Sequence, residues 1–266
     1  MPVLTWFTHH KFLVLGVGVA VLIATVGAGI WFFALRNTST PVNLREALRL
    51  YRQDQRAGRA AAAGQLPPSG VYRYRTSGHE QLSFPGIDRA FPSASAMIVT
   101  DRRCATDQWE PLVEHMEGLV ECPVGGGAYA ITTALSYEQI AGTRNTDVIH
   151  CPAGTYLVPP HLRTGERWHT VCHSTDQRVT SSGLVVGRTS VNVDGLEMPA
   201  IHTRVTLTFS GAESGTNPTD YWVAPKDGLI LLQRESVDLS QRAGPLGSVH
   251  YTEQMAIRIV SPTPVR

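Results

Sequence analysis

The sequence predicts an all-β domain, a curved antiparallel meander that closes as a barrel or curls as a half-barrel. One amphipathic helix precedes it, and a single transmembrane helix lies at the N-terminus. Three observations predict this. Beyond Val71, short runs of β-branched and aromatic residues alternate with polar ones and are punctuated by Gly, Asp and Pro turns. Ahead of them, only one stretch repeats its apolar residues at helical spacing. Phe12 to Leu35 is an unbroken run of uncharged, mostly apolar residues.

Residues 1–11 read as a short cytoplasmic N-terminus and residues 12–35 as the anchor. At about 1.5 Å per residue the apolar run extends roughly 36 Å, enough to cross a hydrocarbon core of about 30 Å with some tilt. It is longer than the core of a cleaved signal peptide. Its small-residue step Ala28-Gly29 is followed by Ile30, Trp31, Phe32 and Phe33, so it is expected to stay uncleaved. Gly16, Ala20, Ala24 and Ala28 recur every four residues and line one face, where the helix of a homodimer partner can approach closely. Two signals for orientation conflict. Arg36, Arg45, Arg49, Arg52, Arg56 and Arg59 follow the run against only Glu46 and Asp54, which by charge alone would hold the next domain inside. The cysteines favour an oxidising compartment, and large domains translocate largely regardless of flanking charge. The expected arrangement is therefore single-pass in the plasma membrane, with the C-terminal domain extracytoplasmic.

Residues 36–69 form a juxtamembrane helix and linker. Asn43 suits the N-cap, with Glu46 three residues on in capping-box position. Leu44, Ala47, Leu48 and Tyr51 make an apolar stripe. Alanines 60–63 are a possible extension of the helix, and Gly64 with Pro67-Pro68 ends it. This helix is the candidate cover for the concave face of the sheet, and packing within its own chain is the default.

Residues 70–266 form the β domain. Val71 to Thr76 alternates, Ala96 to Thr100 is a short apolar run, and Ala128 to Tyr137 is rich in strand formers. Leu184 to Val193 alternates with Gly187 as a candidate bulge, and Asp194-Gly195 is a two-residue hairpin turn. The return strand places Ile201, Thr203, Val205, Leu207 and Phe209 on one face. Tyr221 to Leu239 is a further hairpin through Pro225 to Gly228. Ser248 to Val260 is the last strand, in which the apolar parity runs through Glu253, so an inward charge or a bulge is expected there.

Four cysteines, Cys104, Cys122, Cys151 and Cys172, read as two disulfides. Three pairings are open. Cys104–Cys122 and Cys151–Cys172 are favoured because each brackets one hairpin or loop. A zinc site built from His150, Cys151, His169, Cys172 and His173 is the rival, but no C-x₂-C accompanies it and the segment does not read as a helix. No metal and no cofactor are expected. Lys11 is the only charged side chain before residue 36, and the whole chain carries a net charge of +1. The distal chain is therefore neutral, which weighs against nucleic acid as a partner. No phosphate-binding, zinc-protease, serine-elbow or dinucleotide motif is present, so no catalytic residue is assigned.

Asp220-Tyr-Trp-Val-Ala-Pro-Lys-Asp-Gly-Leu-Ile-Leu-Leu-Gln-Arg-Glu235 resembles a recurring hairpin of the LolA/LppX-like superfamily of envelope proteins. Gly70-Val-Tyr-Arg-Tyr74, the two cysteine pairs and Gly165-Glu-Arg-Trp168 resemble an uncharacterised family of membrane-anchored actinobacterial proteins. The superfamily resemblance implies a curved sheet whose groove holds a lipid or acyl chain. The lining expected on that basis is Val205, Leu207, Phe209, Trp222, Leu229 and Leu231. Two readings stand: a tethered, non-catalytic domain that binds a lipid or other hydrophobic ligand, or a structural or signalling module that dimerises through its transmembrane helix. The lipid bilayer is a partner in both.

Overall fold

The computed structural model describes residues 39–55, 66–84, 86–101, 104–126, 128–140, 143–242 and 248–266. The chain divides into two units. Residues 39–139 with 144–266 form the larger, and residues 1–38 with 140–143 form the other. The transmembrane run and its Gly16, Ala20, Ala24 and Ala28 lie outside the described residues, as do alanines 60–63. Among the described residues, no helix is long and apolar enough to cross a membrane.

Helix α1 spans Leu44–Gln55. Fourteen strands follow among the described residues. They are β1 (Gly70–Leu82), β2 (Ile87–Ala90), β3 (Ala94–Asp101), β4 (Ala105–Leu112), β5 (His115–Gly125), β6 (Ala128–Ile140) and β7 (Thr143–His150). After these come β8 (Tyr156–Val158), β9 (Arg167–His173), β10 (Gln177–Val193), β11 (Leu196–Gly211), β12 (Glu213–Val223), β13 (Ile230–Arg242) and β14 (Ser248–Ile259). The neighbours run β14, β13, β12, β11, β10, β9, β7, β6, β5, β4, β3, β1, and β1 pairs again with β14. The meander therefore closes into a ring, with β8 off its path on β6 and β2 on β1. Closure pairs the first and last strands with each other, so neither β1 nor β14 is left as an open edge.

The turn chemistry follows the residues. Val193 faces Leu196 across Asp194 (φ 49°) and Gly195 (φ 90°), both left-handed as the two-residue hairpin requires. The register of β10 against β11 slips between Val185 and Gly187, the expected bulge. The parity of β11 also holds: Ile201, Thr203, Val205 and Phe209 are buried.

The ring interior is one apolar cluster built from many strands, including Tyr72, Met97, Trp109, Tyr129, Leu157, Ile201, Tyr221, Leu231 and Ile257. Helix α1 does not cover this face. Its Val42, Ala47 and Tyr51 pack with Val71, Ala96 and Ile98 in a separate cluster. Successive strand residues point to opposite sides. Val71 and Ile98 are therefore on the other face of β1 and β3 from Tyr72, Met97 and Val99, and α1 lies outside the ring. A sheet that closes on itself needs no lid, which is why the stripe serves an outer face instead. Asn43 Oδ1 accepts from Glu46 N at 3.1 Å, the predicted cap. Thr40 fixes the segment before the helix: its N and Oγ donate to Glu114 at 2.9 and 3.0 Å in the turn between β4 and β5.

The disulfides are Cys104–Cys122 and Cys151–Cys172, the favoured pairing.

Candidate functional site

The ring interior is not uniformly apolar. Alternation turns His115 and Glu117 of β5 inward, because Glu117 faces the core residue Trp109 across the β4–β5 pair. Glu80 of β1 is paired directly with Glu253 of β14 at the seam that closes the ring, and Glu80 also faces Arg89 of β2. Glu80, Arg89, His115 and Glu253 are all at most 4% exposed.

The contacts are specific. Glu80 Oε2 lies 3.0 Å from His115 Nδ1. Its Oε1 is 2.5 Å from Arg89 Nε as an ion pair, although the two are not aligned as a hydrogen bond. Arg89 also donates through Nη1 to the Gln139 carbonyl at 3.2 Å. The Tyr251 hydroxyl reaches Glu253 Oε2 at 2.6 Å and Glu80 Oε2 at 3.0 Å. Phe91 and Trp109 stand edge-on to the His115 ring at 5.4 and 5.7 Å, fixing its plane. Nearby on β13, Glu235 accepts from Asn217 at 2.5 Å and from Gln233 at 2.8 Å. Two atoms are left over: His115 Nε2 and Glu253 Oε1 are buried and have no hydrogen-bond partner among the described residues. His115 Nε2 looks toward Glu117 Oε1, 3.9 Å away.

The electrostatics separate these groups. Burial opposes the charge on Glu80, but the hydrogen bond and charge of His115, with Arg89 and Tyr251, outweigh it and hold the carboxyl below its ordinary value. Burial likewise opposes the His115 charge, yet the carboxylates of Glu253, Glu80 and Glu117 raise the imidazole to about 10. Glu253, deprived of water and facing other carboxylates, is pushed up to about 8. Glu235 and Glu138 are raised, chiefly by burial.

A second buried acid pair lies farther along β4 and β5. Asp107 has no hydrogen-bond partner on either oxygen among the described residues, and burial raises it to about 7. Glu121 is one step diagonal to it in the register and is raised by burial and by Asp107.

Of the six residues expected to line a groove, five belong to or pack against one core cluster, and Phe209 lies in another. Val205, Leu229 and Leu231 are in the main core, with Leu231 fully enclosed. Phe209 belongs to a separate cluster with Ile149, Cys172 and Val179, and Leu207 touches both. Trp222 alternates with the core residues Tyr221 and Val223. It stacks on His202 at 4.1 Å, with Arg234 5.5 Å from its ring. Cys151 and Cys172 are joined to each other, so neither thiolate is free to join His150, His169 or His173 on a metal. Ser240, His250 and Asp238 approach one another across β13 and β14, at 3.2 Å for Ser240–His250 and 3.6 Å for His250–Asp238. The histidine and aspartate of this trio are largely exposed.

Sequence reasoning anticipated the inward charge at Glu253, which is buried without a register slip. It missed Glu80, Arg89, His115, Glu117, Glu138 and Glu235. The signal that could have found them was the parity of β5, where His115, Glu117, Leu119 and Glu121 alternate with Met116, Gly118 and Val120.

No protein-family model matches the chain, and no curated protein matches it. Among solved structures it is similar to the crystal structure of the hypothetical lipoprotein YmcC from Escherichia coli (K12). The two share 12% identity at a TM-score of 0.34, over 85% of this chain and 100% of the other. A superposition that loose carries no functional argument.

Proposed function

We propose that this is a membrane-tethered, non-catalytic module of the cell envelope. Its main core is packed by its own side chains, and its tether and outer face make its contacts. The observation behind this reading is the packing of three residues of the expected lining. Val205, Leu229 and Leu231 are 4%, 2% and 0% exposed, enclosed by other residues of the same cluster. A side chain bordering a space wide enough for an acyl chain would be partly exposed. Interiors packed without such voids are what give a rigid scaffold its stability. The exposure of His250 and Asp238 beside Ser240 favours the non-catalytic reading as well, since a working triad buries its acid and holds the imidazole against it. The LolA/LppX-like resemblance, with its lipid-filled groove, is the competing reading.

The test is native mass spectrometry of the full chain released from detergent. The module reading expects the bare polypeptide mass. One lipid per chain, retained through detergent exchange and lost on unfolding, would overturn it in favour of the carrier.

A further inference from the structure

We propose that His115, Glu117 and Glu253 bind one divalent transition-metal ion inside the ring, with Glu80 orienting the histidine from behind. The inference goes beyond the module reading and does not depend on it.

Its first support is the pair of orphaned atoms. Buried polar atoms in folded proteins are almost always satisfied, so each exception needs an explanation. Here two of them, His115 Nε2 and Glu253 Oε1, belong to the same cluster. The second support is the arrangement around the imidazole. Metal-bound histidines characteristically give their other ring N–H to a carboxylate, which fixes the tautomer and strengthens the ligand. Glu80 sits on Nδ1 at 3.0 Å, which leaves Nε2, close to Glu117 and Glu253, as the nitrogen that would release its proton to bind the ion. Arg89 neutralises Glu80, and Tyr251 holds the second oxygen of Glu253.

The distances fit. One donor atom from each of His115, Glu117 and Glu253 can be chosen so that all lie within 4.8 Å of one another. Ligands about 2.0–2.2 Å from a shared ion stand roughly 3.0–3.6 Å apart. The 3.9 Å between His115 Nε2 and Glu117 Oε1 therefore needs to close by only a few tenths of an ångström. Glu117 is free to make that move, because a quarter of its side chain is exposed; the same opening gives an ion its route in. An alternative grouping of Glu80, His115 and Glu138 is less apt, since the Glu80 oxygens already hold Arg89, His115 and Tyr251. One imidazole with two carboxylates suits Zn²⁺, Mn²⁺ or Fe²⁺ better than Ca²⁺, which takes an all-oxygen shell. Bound there, the ion would tie β5 across the interior to β14 at the closing seam.

The experiment uses the full chain in detergent, stripped with chelator and titrated with Zn²⁺ against a chromophoric competitor, with Co²⁺ as spectroscopic probe. The expected result is one ion per chain. Glu117→Gln and Glu253→Gln should each weaken binding by at least about 100-fold, and Glu80→Gln by about 10- to 100-fold with an altered Co²⁺ spectrum. Asp107→Asn, which removes a buried acid outside the cluster, should leave binding unchanged. Near-UV circular dichroism checks folding; Glu117→Gln, isosteric and partly exposed, decides the matter if the deeper variants do not fold. Binding below one ion per chain overturns the proposal. So does binding undiminished in both glutamine variants, which would place the ion on surface or N-terminal histidines.

Discussion

Asp107 gives the sharpest energetic test of the interior. It is 3% exposed, has no hydrogen-bond partner, and shares the space between β4 and β5 with Glu121. Burial raises its carboxyl from 3.8 to about 7. The folded state therefore holds a proton that the unfolded chain releases between those two values. Stability from this group is fully present below pH 3.8 and is lost as pH rises through about 7. Over the whole interval the linkage amounts to about 4 kcal/mol, of which about 3 kcal/mol falls between pH 5 and 8.

The perturbation is Asp107→Asn, which keeps the shape and removes the titration. The amide is buried without partners too, so it carries a desolvation cost of its own, about 1–3 kcal/mol, but one that does not change with pH. The quantity to read is the difference in unfolding free energy between variant and wild type, from urea titrations at pH 5, 6, 7 and 8. Tryptophan fluorescence is a suitable signal because Trp109 is on the same strand and face. The difference should shift in favour of Asn by about 3 kcal/mol from pH 5 to pH 8. A difference that stays level within about 1 kcal/mol would show that Asp107 is charged and solvated in the folded protein, and would refute the reasoning.

Two further outcomes follow from covalent and steric features. The disulfides close loops of 18 and 21 residues, so Cys104→Ser with Cys122→Ser, or Cys151→Ser with Cys172→Ser, should each cost about 3 kcal/mol in urea unfolding. A loss below about 1 kcal/mol for both would mean that the unfolded chain is already constrained there. Gly183 is paired with Trp168, and a Cβ on it would sit 1.8 Å from the indole. Gly183→Val should therefore displace Trp168 and cost about 1–3 kcal/mol, visible as a change in near-UV circular dichroism; an unchanged spectrum would contradict the contact.

Much of the frame was legible because it rests on local rules. Asp194-Gly195 sets a turn, Gly187 a bulge, Asn43 a cap, and period-two alternation in β11 sets its inner face. Closure was left open between barrel and half-barrel because the pairing of β1 with β14 joins residues far apart in sequence, and no local pattern records it. Leaving closure open also misplaced the helix: an amphipathic stripe shows that α1 covers something, not which side of the sheet. The site was hidden for a related reason. Apolar parity is read on the assumption that the inner face is the apolar one, and β5 reverses it by turning His115, Glu117 and Glu121 inward while Met116 and Val120 face the other way. Only Glu253, set among Tyr251, Met255, Ile257 and Ile259, broke an otherwise apolar series and so announced itself.

The position of these charges argues that they do more than fill space. Two carboxyls directly opposite on neighbouring strands destabilise a sheet once both are charged, and well-packed apolar residues usually do better than buried polar groups. Yet Glu80 faces Glu253 across the seam that closes the ring. Arg89 and His115 compensate one of the two carboxylates, and Tyr251 bridges both. That compensation exists in one register only. Sliding β14 by two residues along β1 keeps the apolar parity, but it separates both Glu253 and Tyr251 from Glu80 and His115. Hydrophobic contacts alone would tolerate that slip far better than a buried carboxylate that loses its partners. The polar cluster thus specifies how the first and last strands meet, and an ion on His115, Glu117 and Glu253 would fasten that same register from inside.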